Sequence, residues 1–180
     1  MIRRYGEPVV AGQIYRRRPG VYAILLRGDD ILLTHQAEPD NEFQLPGGGI
    51  DPGEHPLPAL HREVMEETGW HIGNLRRIGT YRRFVYMPEY EMQAEKICTI
   101  FLARPVMRLG PPTEHGHTAV WTDPKSAIDL LDNDGDRAMM MLGQVFSVGG
   151  IALMLVLGLA NVDTPLAFAL PLMLMGLGNG

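Results

Sequence analysis

The chain has a single cysteine, Cys98, among its 180 residues, so no disulfide can form within it. Cys98 stands in the apolar run at 97–102, where a core thiol and a reducing compartment are expected. Positive charge is also short. Lys and Arg number 16 against 21 acids, and the net charge of −5 argues against a chain built to grip a nucleic-acid backbone. No internal repeat is present. Residues 1–20 are polar and lack the apolar core of a secretory signal, so a cytoplasmic location is expected. Arg16, Arg17 and Arg18 read as a solvated charge run, with phosphate contact as the alternative. The length allows one ordinary domain and some excess.

What is present is concentrated in residues 48–70, GGIDPGEHPLPALHREVMEETGW. Glu63, Glu66 and Glu67 fall at i, i+3 and i+4, so a helix there stacks three carboxylates on one face. Like charges at that spacing destabilise a helix by roughly 0.2–0.5 kcal/mol per pair. A hard cation removes the penalty, because Mg²⁺ takes oxygen ligands and keeps waters that a phosphate can replace. The plain alternative is a solvated acidic face.

The preceding loop points to the first reading. Leu45-Pro46-Gly47-Gly48-Gly49 is expected to be a glycine-rich turn that admits close approach of a ligand. Pro56 and Pro58 fit only the first helical turn, and Gly69 suits a left-handed cap. Leu57, Leu60 and Val64 recur at helical spacing and should be buried, leaving the glutamates on the other side. Arg62 stands four residues before Glu66 and eight after Glu54, placed to tie the loop to the helix.

Gly48, Glu54, Arg62, Glu63, Val64, Glu66, Glu67 and Gly69 resemble the Nudix box at its full spacing, with Trp70 where an aliphatic residue is usual. The resemblance covers roughly residues 18–137. It implies an α/β/α sandwich with a mixed sheet and hydrolysis, dependent on Mg²⁺ or Mn²⁺, of a nucleoside diphosphate linked to another group. It further implies metal ligation by Glu63, Glu66, Glu67 and the Gly47 carbonyl, with Glu54 supporting the loop and helix. Gly48 and Gly49 would lie against substrate.

Elsewhere, apolar runs at 21–27 and 31–35 flank Gly28-Asp29-Asp30, a hairpin signal. A short strand is expected at 43–45. Residues 75–86 read as a strand in which Arg82, Phe84 and Tyr86 suit a nucleotide base and its phosphates, the alternative being a strand with one wet face. A buried strand is expected at 96–103, a loop at 105–117 and another strand at 118–122. Asp123 caps a helix that has Pro124 in its first turn. The acids at 132–136 open a further helix. They do not make a calcium loop, because Gly143 stands where that loop needs glutamate.

An enzyme of this kind needs a base. Glu63 is one candidate, Glu114 is preferred over Glu95, and His115 and His117 are alternatives that titrate near neutrality. Arg62 is counted with the catalytic group. The expected substrate is a nucleotide-derived small molecule: a nucleoside triphosphate, placed first, or a dinucleoside polyphosphate, ADP-ribose or a nucleotide sugar. A silent nucleotide-binding module on the same fold is the alternative function. An isoprenoid isomerase needs a flanking cysteine that Cys98 does not provide. A homodimer is carried as an expected partner.

From residue 138 to 180 the only charge is Asp163, and six of the eleven methionines fall there. Residues 138–160 carry no charge, enough for a span of ~20 residues. A turn is expected at 161–164 and a second apolar segment at 165–178. The small residues and the closing Gly-Leu-Gly-Asn-Gly resemble, weakly, a helix pair of a multidrug efflux transporter. The expectation is an enzyme domain at 1–137 followed by an apolar helical tail at 138–180, in contact with membrane or detergent. The tail is read as a fused, truncated fragment, with a natural anchor as the competing idea.

Overall fold

A computed structural model describes residues 2–37, 41–160, 167 and 169–173. The chain divides into two compact units, Met1–Arg137 and Ala138–Gly180.

The first unit is built on an eight-stranded mixed sheet: β1 (Arg3–Gly6), β2 (Arg16–Arg27), β3 (Asp30–Gln36), β4 (Glu42–Gln44), β5 (Gly47–Gly49), β6 (Trp70–Met87), β7 (Met92–Arg108) and β8 (His117–Thr122). The order is β1-β6-β7-β2-β3-β4, with β5 on β2 and β8 on β3. β1 runs parallel to β6 and β2 parallel to β7, and the other pairs are antiparallel. The helices are α1 (Pro56–Thr68), α2 (Pro124–Leu130) and α3 (Asp134–Leu159), with a 3₁₀ turn at Pro88–Tyr90.

The hairpin of β2 and β3 closes on Arg27↔Asp30. Alternation along β2 then assigns the two faces of the sheet. Val21, Ala23 and Leu25 pack with Ala59, Leu60 and Val64 of α1, and with Leu32, Phe101 and Ala103. Tyr22 and Ile24 point to the opposite face and are also buried. Gly20, Cys98 and Tyr81 lie side by side on that second face, and Tyr81 donates to Asp136 at the start of α3 at 2.7 Å. Burial of this cluster pushes the Cys98 thiol up to about 11, so it is an inert core thiol.

Several expectations are adjusted. β2 begins at Arg16, because residues 16–18 pair with β7. The glycine run is no free turn: Gly47–Gly49 is a strand hydrogen-bonded to β2. The loop before β8 begins only after Arg108, since β7 continues that far. Leu57 is 40% exposed, and the small Ala59 takes the buried place beside Leu60 and Val64. Glu67 is buried rather than solvated.

The C-terminal expectation is overturned. Residues 138–160 do not begin a span of their own; they continue α3, whose first turn carries Asp134, Asp136 and Arg137. Among the described residues no helix is long and apolar enough to cross a membrane. The described residues therefore carry no membrane-spanning tail, and the likeness to an efflux-transporter helix pair is withdrawn. Membrane association through residues 138–180 is withdrawn with it. The turn expected at 161–164, the closing glycines and most of 165–178 lie outside the described residues.

Candidate active site

Strand β5 and helix α1 meet at the box. Gly47 adopts φ +137°, and a Cβ there would stand 2.2 Å from the Val21 carbonyl oxygen, so only glycine fits where β5 lies on β2. A Cβ on Gly48 would stand 2.4 Å from Glu63 Oε2; the strand leaves that space to the carboxylate. On the next turn of α1, Glu67 Oε2 accepts the Gly47 N–H at 2.8 Å.

Arg62 holds the other acids. Its Nε and Nη2 donate to the two oxygens of Glu54 at 3.1 and 2.8 Å. Its Nη1 reaches Glu63 Oε1 at 2.8 Å and Glu66 Oε2 at 3.1 Å, and Nη2 also reaches the Gly49 carbonyl at 3.2 Å. The guanidinium holds the Glu54 carboxyl below its ordinary range. Burial pushes Glu63 up, with Arg62 opposing, and pushes Glu67 well up, with the Gly47 N–H opposing. Both would be favoured in the charged form by a nearby cation.

The end of α1 also places the loop before β8. Its unpaired Glu66 carbonyl accepts the N–H groups of Thr113 at 2.7 Å and Glu114 at 3.0 Å. Glu114 is thereby delivered beside the box acids. His117, three residues on, has a side chain only 4% exposed, with Nδ1 3.4 Å from Glu114 Oε2 and Nε2 3.9 Å from Glu67 Oε1. Two triads result, Glu63–Glu66–Glu114 and Glu67–Glu114–His117, each with one donor atom per residue and all three within 4.8 Å. The donor set fits a divalent cation. Glu114 joins the two triads, Arg62 neighbours Glu63 and Glu66, and the missing Cβ of Gly48 leaves Glu63 its room.

These groups open on a cleft of about 280 Å³. Its walls add Arg18 and Tyr22 from β2, Gln36 from β3, Gln44 from β4, Tyr90 from the 3₁₀ turn and Lys96 from β7. Arg18 stacks over the Tyr90 ring at 4.9 Å, and Lys96 Nζ stands 5.9 Å from the Tyr22 ring centroid.

The structure brings together Gly47, Gly48, Gly49, Glu54, Arg62, Glu63, Glu66, Glu67 and Glu114. It does not bring Glu95, Arg82, Phe84 or Tyr86 to the cleft wall. Glu95 is held by Arg17 at 3.2 Å and Arg82 at 3.4 Å. Phe84 is buried edge-on against Tyr15, and Tyr86 is exposed. Sequence reasoning missed Tyr22, Gln36, Gln44, Tyr90 and Lys96, and it read Arg18 as solvated. The interleaved arginines and aromatics of β6 were the stronger signal, yet they face other partners.

A sequence model of the NUDIX domain matches residues 16–142. Among curated relatives, an RNA pyrophosphohydrolase of Helicobacter pylori (strain G27) is 42% identical over 73 residues, 38% of this chain and 46% of that protein. A putative 8-oxo-dGTP diphosphatase of Bacillus subtilis (strain 168) is 33% identical over 73 residues, 41% of this chain and 49% of that protein. The chain thus spans about half the length of the curated relatives it matches. Among solved structures, a NUDIX hydrolase from Nitrosomonas europaea superposes with a TM-score of 0.58 at 19% identity, over 70% of this chain and 87% of that one. At that identity the superposition speaks for the fold alone.

Proposed function

We propose that this chain, which belongs to the Nudix hydrolase family through residues 16–142, cleaves a phosphoanhydride bond in a nucleoside diphosphate joined to a further group, with a 5′-triphosphate the first choice. The observation that carries the reading is the convergence of Glu63, Glu66, Glu67 and Glu114 beneath the β5 glycines, at a cleft that also holds Arg18 and Lys96. The similar relatives are named as a pyrophosphohydrolase and a diphosphatase, which favours substrates ending in a triphosphate.

Mg²⁺ or Mn²⁺ is the cofactor of this reading; Glu63, Glu66 and Glu67 with the Gly47 carbonyl would hold it, and it would supply charge neutralisation for the diphosphate. Arg62 keeps Glu63 and Glu66 oriented. Gly48 and Gly49 let the phosphates approach the backbone, and Arg18 and Lys96 meet their charge. Glu114 takes a proton from the attacking water. The water oxygen bonds to phosphorus, the bridging P–O bond breaks, and the leaving phosphate departs with the bond's electron pair. All the box acids are in place, which argues against a silent binding module.

The test uses the full chain with Mg²⁺ or Mn²⁺ on nucleoside triphosphates including 8-oxo-dGTP, 5′-triphosphorylated RNA, a dinucleoside polyphosphate, ADP-ribose and a nucleotide sugar. Cleavage of a triphosphate, lost in Glu67→Gln, is expected. A folded protein that binds nucleotide and cleaves nothing with either metal would leave the binding module as the better account.

A further inference from the structure

His117 has no counterpart in the oxygen-only ligand set of the proposed function. Its side chain is 4% exposed, and neither ring nitrogen has a hydrogen-bond partner. A buried imidazole with both nitrogens unsatisfied carries an uncompensated desolvation cost, so a partner missing from the polypeptide is expected. The ring lies on the cleft wall between two carboxylates, 3.9 Å from Glu67 Oε1 and 3.4 Å from Glu114 Oε2. These separations exceed a good N–H···O⁻ bond of about 2.7–2.9 Å. For the one ring nitrogen that ligates, such a separation does match two donor atoms that share one ion, which at bonds of about 2.1 Å stand roughly 3–4 Å apart.

Glu67 is arranged for such an ion. Its Oε2 is occupied by the Gly47 N–H, and Oε1 is the oxygen turned to His117. Glu114 belongs to both acidic triads, so it stands between the hard site of Glu63 and Glu66 and the side where His117 sits.

We infer that Glu67, Glu114 and His117 form a second, mixed nitrogen–oxygen site that shares Glu67 with the site of the proposed function, and that it takes a borderline transition-metal ion such as Mn²⁺, Co²⁺ or Zn²⁺ in preference to Mg²⁺. An imidazole ligand selects in that direction, because Mg²⁺ strongly prefers oxygen whereas Co²⁺ and Zn²⁺ bind nitrogen well. One ring nitrogen binds the ion while the other faces a carboxylate, an arrangement that fixes the ring of a ligating histidine. The inference rests on reading the acidic cluster as a metal site, and its test separates the two.

The full chain and His117→Gln are titrated calorimetrically with Mg²⁺ and with Co²⁺, and crystals of the unaltered protein soaked in Co²⁺ are examined by anomalous scattering. The expected result is Co²⁺ affinity at least about tenfold weaker in His117→Gln with Mg²⁺ affinity within about twofold. An anomalous peak at bonding distance from a His117 ring nitrogen is expected as well. Equal Co²⁺ affinity in both proteins, or a Co²⁺ peak away from the ring, would overturn the site while retained Mg²⁺ binding keeps the parent reading. Failure of the unaltered protein to bind either ion would overturn both. The diffraction measurement decides the matter even if His117→Gln does not fold.

Discussion

Glu67 accepts the backbone N–H of Gly47 at 2.8 Å, so the carboxylate read as a metal ligand also fastens helix α1 to strand β5. Ligand geometry and fold are therefore set by the same bond. The two glycines beside it should respond differently to an added methyl group. At Gly47 the Cβ would strike the Val21 carbonyl and the backbone is left-handed, so Gly47→Ala is expected to lose about 2 kcal/mol or more of stability. At Gly48 the Cβ meets only the flexible end of Glu63. Gly48→Ala should lose about 1 kcal/mol or less, yet bind Mg²⁺ about tenfold more weakly. Urea unfolding and Mg²⁺ calorimetry on both variants check the contrast; similar stability losses would mean that the strand yields at Gly47.

Arg62 is the hub for three glutamates and one carbonyl, and its fork geometry matters as much as its charge. Arg62→Lys keeps the charge but cannot reach Glu54, Glu63 and Glu66 together. The expected result is a fall in kcat of about tenfold to a hundredfold with little change in unfolding midpoint, since the group is partly exposed. Steady-state kinetics against melting temperature measure the split. Unchanged kcat would show that the ion alone orients the carboxylates.

The parts of the site legible in the sequence are those set by local rules. Prolines at the helix start, Gly69 at its end, the i, i+3, i+4 glutamates and the Arg62–Glu54 pair all follow from spacing along one loop and one helix. The opposite wall follows from pairing between strands distant in the chain. Arg18 stands beside Lys96 because β2 runs parallel to β7, and Gln36 beside His117 because β3 pairs with β8. Neither register is visible in local periodicity. Burial of Glu67 was missed for a similar reason, because its partner is a backbone amide contributed by β5. The apolar C-terminal run misled because the helix opened by the acids at 132–136 and the run that follows were read as separate segments, whereas one helix, α3, carries both from Asp134 to Leu159.

Glu114 and Glu95 were rival bases, and their surroundings separate them. Glu114 shares both acidic triads, whereas Glu95 is bound to Arg17 and Arg82 across three strands. Glu114→Gln is expected to lower kcat by about 10²–10³-fold. Glu95→Gln should stay within about threefold, with at most about 1 kcal/mol lost from partly exposed ion pairs. The two rates, measured from pH 6 to 9 with the substrate found first, decide between them. An Glu95→Gln defect as large as that of Glu114→Gln would move the base to β7.

Asp136 gives the fold a pH dependence of definite sign. It is 1% exposed, accepts the Tyr81 hydroxyl at 2.7 Å, and is pushed by burial up to about 6. The unfolded carboxyl titrates near 3.9, so the native state binds this proton more tightly. The resulting stabilisation is fully present below about pH 4 and is lost as pH rises through about 6. From pH 5 to 7 this one group should remove about 1 kcal/mol of stability. Glu63 and Glu67 are shifted in the same direction, but they are common to the protein and to Asp136→Asn and cancel between the two. Urea unfolding in chelator at pH 5 and 7 is therefore expected to show a loss larger by about 1 kcal/mol in the unaltered protein than in Asp136→Asn. Equal losses would mean that Asp136 is ionised across this range, with Tyr81 and the other donors around it sufficient to hold its charge.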